Sequence, residues 1–182
     1  IDAPENNWDD FAGIDVAGKW ILILVNDPPA PADEPGLFGG PALTYYGRWT
    51  YKNEEAGRQG ALGALIVHET EPAGYPWPVV RGGWTGEQFS APADPTSAPA
   101  GMLGWITEDV TREVLALEGL DFDAMKAAAA ERGFVAMETG VTVSGHVDSA
   151  VRLVETANVV GLLPGAERPD EFVTITSHHD HF

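Results

Sequence analysis

The sequence contains no cysteine. Disulfides and thiolate metal sites are thereby excluded, and any metal has to be held by histidines and carboxylates. The absence fits either the cytosol or an export compartment, and a periplasmic or secreted parent is the expectation carried forward. Basic residues are scarce: 10 lysines and arginines stand against 28 aspartates and glutamates, a formal net charge of −18. Such a surface repels phosphate backbones, so no nucleic-acid partner is expected. The acids are spread along the chain rather than gathered in a tail, and their first reading is solubility. Long apolar runs are also missing. None approaches the roughly 18 residues that a membrane span requires, so no membrane segment is expected in this sequence. No internal repeat or low-complexity tract appears.

What is present suits a folded domain. The hydrophobic content is 44% over 182 residues, enough for one medium domain, or for one domain and a piece of another. Residues 19–25 form a continuous apolar run between Gly18 and Asn26-Asp27-Pro28-Pro29, which predicts a strand buried on both faces. Residues 28–41 are dense in proline and glycine and read as a loop. Thr50 predicts the cap of a helix through Gln59 with its stop at Gly60, and Gly57 inside it, about 1 kcal/mol worse than alanine, points to close packing. Residues 64–67 read as a second buried strand. Strand, helix, strand in this order predicts a right-handed crossover onto a partly parallel sheet.

Residues 71–101 read as one long irregular loop with Tyr75, Trp77, Trp84 and Phe89 among prolines and glycines. A loop of this length signals function or disorder, and its aromatics argue against disorder. A short strand over 102–106 follows, then a helix capped by Thr107 with Gly119 beyond its end. Asp121 predicts the start of another helix, with its stop at Gly133. Beyond Glu138 the apolar spacing changes to period two through Val141, Val143, Val147, Val151 and Leu153, which predicts an antiparallel hairpin turning near Asp148-Ser149. Residues 158–163 and 172–176 predict two further strands. The domain boundary falls near Thr156-Ala157, giving segments 1–156 and 157–182.

Chemistry concentrates in Ser177-His178-His179-Asp180-His181. On a strand, His178 and Asp180 share one face while His179 and His181 take the other. Open α/β sheets place ligands at the carboxyl ends of their strands. An imidazole there can bind a metal through one nitrogen while a carboxylate orients it. By spacing alone, solvated histidines at a frayed end are the commoner reading, and one or two ligands do not make a site. His68 and His146 stand alone and read as surface or satisfied polar residues. Asp9, Asp10 and Asp15 lack the alternation of a calcium loop and read as turn and cap residues.

The run Asn158-Val159-Val160-Gly161-Leu162-Leu163-Pro164-Gly165, followed by Asp170-Glu171-Phe172-Val173-Thr174-Ile175-Thr176-Ser177-His178-His179-Asp180-His181-Phe182, resembles the opening of the catalytic domain in the di-zinc aminopeptidase family. That family also includes glutamate carboxypeptidase and the transferrin receptor. The upstream part is similar to the protease-associated domain inserted in many members, through Trp8-Asp9-Asp10-Phe11, Asp15-Val16-Ala17-Gly18-Lys19, Glu54-Glu55-Ala56 and Gly60-Ala61-Leu62-Gly63-Ala64-Leu65-Ile66-Val67. The resemblance covers nearly the whole chain in the expected order. It implies an α/β (α+β) protease-associated domain, a mixed sheet or open barrel-like sandwich flanked by helices, followed by two strands of a truncated α/β catalytic domain. The first few residues would flank that catalytic domain.

Carried over by position, His178 resembles the family's first zinc ligand and Asp180 its neighbouring carboxylate, counted with the catalytic residues. The other ligands and the general-base glutamate have no counterpart in this sequence. Two zinc ions would belong to the intact parent, and this chain is expected to bind zinc weakly or not at all and to be inert alone. The implied partner is a peptide or protein substrate. In the family the inserted domain lies beside the cleft, so Tyr75, Trp77, Arg81 and Trp84 are candidate substrate-facing residues, Arg81 as a fork for a carboxylate. The alternative for these side chains is a satellite core under the loop. For the whole chain, the alternative is a receptor-like or carbohydrate-binding interaction module without peptidase activity.

Overall fold

The computed structural model describes residues 1–90 and 100–178. The chain separates into two units, Ile1–Ser144 and Gly145–Phe182; the boundary read from the sequence was 156/157.

The first unit is mixed α/β. An antiparallel ribbon pairs β1 (Asp2–Ala3) with β2 (Trp8–Asp9). Three parallel strands, β3 (Trp20–Leu24), β4 (Gly63–His68) and β5 (Met102–Thr107), lie in the order β3-β4-β5. Leu22 stands opposite Leu65, and Leu65 opposite Gly104. Parallel neighbours need crossovers, and α1 (Trp49–Arg58) lies in the first of them. β4 is the central strand, with Ala64, Ile66 and Val67 fully buried. The expectation that β3 is buried on both faces is corrected: it is an edge strand, half-buried, with Leu22 exposed. A continuous apolar run marks a strand without revealing whether both neighbours are present.

Alternation along the strands sorts the core. Ile21, Ile23, Ala64 and Leu103 pack with Ala56 of α1 and with Ala61 and Ala100. Leu24, Val67 and Ile106, of opposite parity, pack with Leu115 and Phe122. Leu115 belongs to α4 (Glu108–Ala116) and Phe122 to α5 (Phe122–Ala129), so the sheet is covered on both faces. Each such buried Val, Leu or Phe contributes about 1.5–3 kcal/mol.

Both caps expected on these helices form. Thr107 Oγ1 accepts from Val110 N at 3.3 Å and Asp121 Oδ1 from Ala124 N at 2.8 Å. The α1 cap differs. The helix begins two residues earlier than expected, with Arg48 at the N-cap and no capping side chain, so Thr50 lies inside the first turn.

Two stretches read as loops carry more structure than expected. In the Pro/Gly-rich segment, Leu37 and Phe38 are buried with Ile1, Ala3, Trp8 and Tyr51. The Trp8 and Phe38 rings meet edge to face at 5.6 Å. Beyond β4, the expected irregular loop contains α2 (Thr70–Ala73) and α3 (Trp77–Gly83). Gly74, at φ 79°, ends α2, and Pro78 sits in the first turn of α3, where a missing N–H is harmless. Residues 91–99 of that stretch lie outside the described residues.

The expected hairpin and the two later strands are not formed. Residues 141–178 contain no paired strand, and Val151, Leu153, Val159, Leu163, Val173 and Ile175 are almost fully exposed. Apolar alternation assigns a side chain to a face, but a strand persists only with a ladder partner and a cover. The described residues supply neither to this segment. Nor do they form a barrel-like sandwich: their sheets are the ribbon and the three-stranded parallel sheet.

Candidate functional site

His178 lies on irregular, exposed backbone, where Ser177 Oγ donates to its carbonyl at 3.3 Å. The strand alternation expected to place His178 and Asp180 together therefore has no strand to act through at His178. Asp180, His179 and His181 lie outside the described residues. Among the described residues no three His, Asp or Glu side chains are grouped so as to hold a metal ion. His178 alone offers one donor where structural zinc takes four. The described residues therefore do not fit zinc by themselves.

The aromatic segment is better defined. His68, the last residue of β4, is buried. Its Nε2–H donates to the carbonyl of Tyr75 at 3.0 Å. Its ring meets those of Trp77 at 5.5 Å, Tyr75 at 5.7 Å and Trp105 at 6.2 Å. The expectation of a satisfied polar histidine fits this environment. Tyr75 and Trp77 wrap around it, and burial pushes the Tyr75 phenol above its usual value. The neighbouring Glu69 is also buried and pairs with Lys126 of α5.

Arg81 and Trp84 stand in a different setting. Both are exposed, and the Trp84 ring meets Trp49, the first residue of α1, edge to face at 5.8 Å. The four residues singled out from the sequence thus divide into Tyr75 and Trp77 against His68, and the exposed Arg81 and Trp84, of which Trp84 meets Trp49. Trp49 and Trp105 were not singled out. A tryptophan at a helix start and another inside a strand have no distinguishing spacing, and only the tertiary contacts mark them.

The acidic residues near the start of the chain hold turns, as expected. Asp9 Oδ1 accepts from Phe11 N and Asp15 Oδ1 from Ala17 N, each at 2.9 Å, while Asp10 Oδ1 accepts from Trp8 Nε1 at 2.7 Å. Beneath them Lys52 is buried, with Nζ donating to the Asn26 carbonyl at 3.1 Å. Burial pulls its pKa down to about 8, against the charges of Asp10 and Asp27, which raise it.

Comparison of the chain with protein-family models, with curated proteins and with solved structures gives no match.

Proposed function

We propose that this chain is a protease-associated domain of a zinc-dependent metallopeptidase of the aminopeptidase type, followed by the opening of its catalytic domain. Its role is to shape which peptide or protein substrates reach the cleft. The observation that supports this reading most is that the segments resembling such a domain around Lys19 and over residues 54–67 fall on one folded unit, β3, α1 and the parallel β4. The exposed Arg81 and Trp84 supply side chains able to meet a substrate. In this reading His178 contributes the first zinc ligand and Asp180 the carboxylate beside it, jointly with ligands outside this sequence.

Zinc titration of the chain should show weak binding at most, removed by His178→Ala; a tight stoichiometric site would contradict this account. In a longer polypeptide that joins this chain to a catalytic domain, chelator-sensitive peptide hydrolysis should vanish in His178→Ala. A fully active variant would sink the ligand assignment. The exposure of Trp84 and Arg81 also favours a second reading, an interaction module without peptidase activity. The two part on hydrolysis by that longer polypeptide.

A further inference from the structure

The cations of the compact unit are nearly all committed. Lys19 pairs with Glu138, Arg58 with Glu54 and Glu55, Arg112 with Glu108 and Asp123, Lys126 with Glu69, and Arg132 with Glu34. Lys52 is buried on a backbone carbonyl. Among the described residues, Arg48 and Arg81 are the exposed Lys or Arg side chains of this unit that form no ion pair. Each stands close in the chain to one ring of a single aromatic pair. Arg48 directly precedes Trp49, and Arg81 stands one helical turn before Trp84. Trp49 and Trp84 touch edge to face, yet remain 40% and 46% exposed. Glu54, farther along α1, is taken by the Tyr45 hydroxyl and Arg58.

We propose that Arg48, Trp49, Arg81 and Trp84 form a docking face for a peptide segment carrying carboxylates beside a bulky apolar side chain. In a chain of net charge −18, acids are abundant, and two arginines that adjoin one aromatic pair in the chain and form no ion pair among the described residues keep their donors for another molecule. A guanidinium forks onto a carboxylate through two parallel hydrogen bonds, and half-exposed tryptophan offers apolar area to a neighbouring side chain. Arginine and tryptophan are also the residues that most often dominate interface energies.

Charge complementarity selects the occupant. Nucleic acid or an anionic membrane surface meets the repulsion of the whole acidic surface on approach. One or two carboxylates on a short peptide feel chiefly the nearby arginines, since more distant charges are screened within about 10 Å. A neutral sugar leaves both arginines unused, and rings crossed at 72° do not form a flat platform for it.

The inference deepens the substrate-access reading by naming the peptides admitted, and rests on that reading only for its setting. Binding is read on the 182-residue chain itself, so it stands or falls separately from any hydrolysis. The probe is a dye-labelled Gly-Asp-Phe-Glu-Leu-Gly peptide followed by fluorescence anisotropy. One control peptide replaces the acids by Asn and Gln, and another replaces Phe and Leu by Ala. The acidic apolar peptide should bind more tightly than either control, and less tightly as salt is raised. Arg48→Gln and Arg81→Gln should each weaken it about 3- to 5-fold with unchanged thermal unfolding. Trp84→Ala should weaken it about tenfold or more, with Trp84→Phe retaining most of the binding. Absence of binding, equal binding of the amide control, or full affinity in the double arginine variant would overturn the proposal. So would self-association of the chain that the double variant abolishes, which would assign the face to a second copy.

Discussion

Lys52 is a buried cation whose protonation departs from that of an exposed chain. It loses hydration on burial and receives one backbone carbonyl in return, so its pKa falls from the usual 10.5 to about 8. Between those values the unfolded chain holds the proton that the folded chain has released, so stability rises with pH across the window. The size is on the order of 2–3 kcal/mol. Tyr45, Tyr46 and Tyr51 act in the opposite sense above pH 10, because their phenols are pushed up from that value by acidic partners or by burial. The readable window is therefore pH 8 to 10. Urea midpoints should climb through it in the parent chain and stay level in Lys52→Met, which should be the more stable variant at pH 7. Identical slopes in the two proteins would show that Lys52 remains charged in the fold.

Among the elements, β4 leaves no room for a side chain at Gly63. A Cβ on Gly63 would stand 2.7 Å from the Trp20 ring on one side and 2.9 Å from the Met102 carbonyl on the other. The backbone of the neighbouring strand cannot yield as a side-chain tip can. Gly63→Ala should therefore lose about 1–3 kcal/mol in urea unfolding; a neutral result would mean that the β4–β5 pairing opens there at little cost. The helices beyond β5 illustrate local determination. Thr107 and Asp121 cap them with their own side chains, and Arg112 joins the two by reaching Glu108 and Asp123 while lying over the Phe122 ring at 4.7 Å. Those caps could be read from residue type and position. The start of α1 could not, because its N-cap is Arg48, which supplies no capping bond.

The contrast lies between a layered unit with both sheet faces covered and a second unit whose described residues are exposed and form no paired strand. Amide exchange should be slowest in β4 and fast throughout residues 145–178 of the chain alone. Strong protection in that second segment would show that its apolar residues find partners. The sequence alone located the three strands, the crossover through α1 from the first to the second, and the two capped helices, because apolar runs, turn residues and caps act within a few positions of themselves; the parallel pairing of β5 and the strand order came from the structure. It also pointed to the aromatic stretch and to His178. Only tertiary structure decided the rest. The burial of His68 under Tyr75 and Trp77, the meeting of Trp49 with Trp84, and the covering of Leu37 and Phe38 join residues far apart in the chain. Period-two alternation after Glu138 announced strands as clearly as the run before Val25 did. Pairing, however, requires a second strand within hydrogen-bonding distance, and a residue pattern carries no record of whether one arrives.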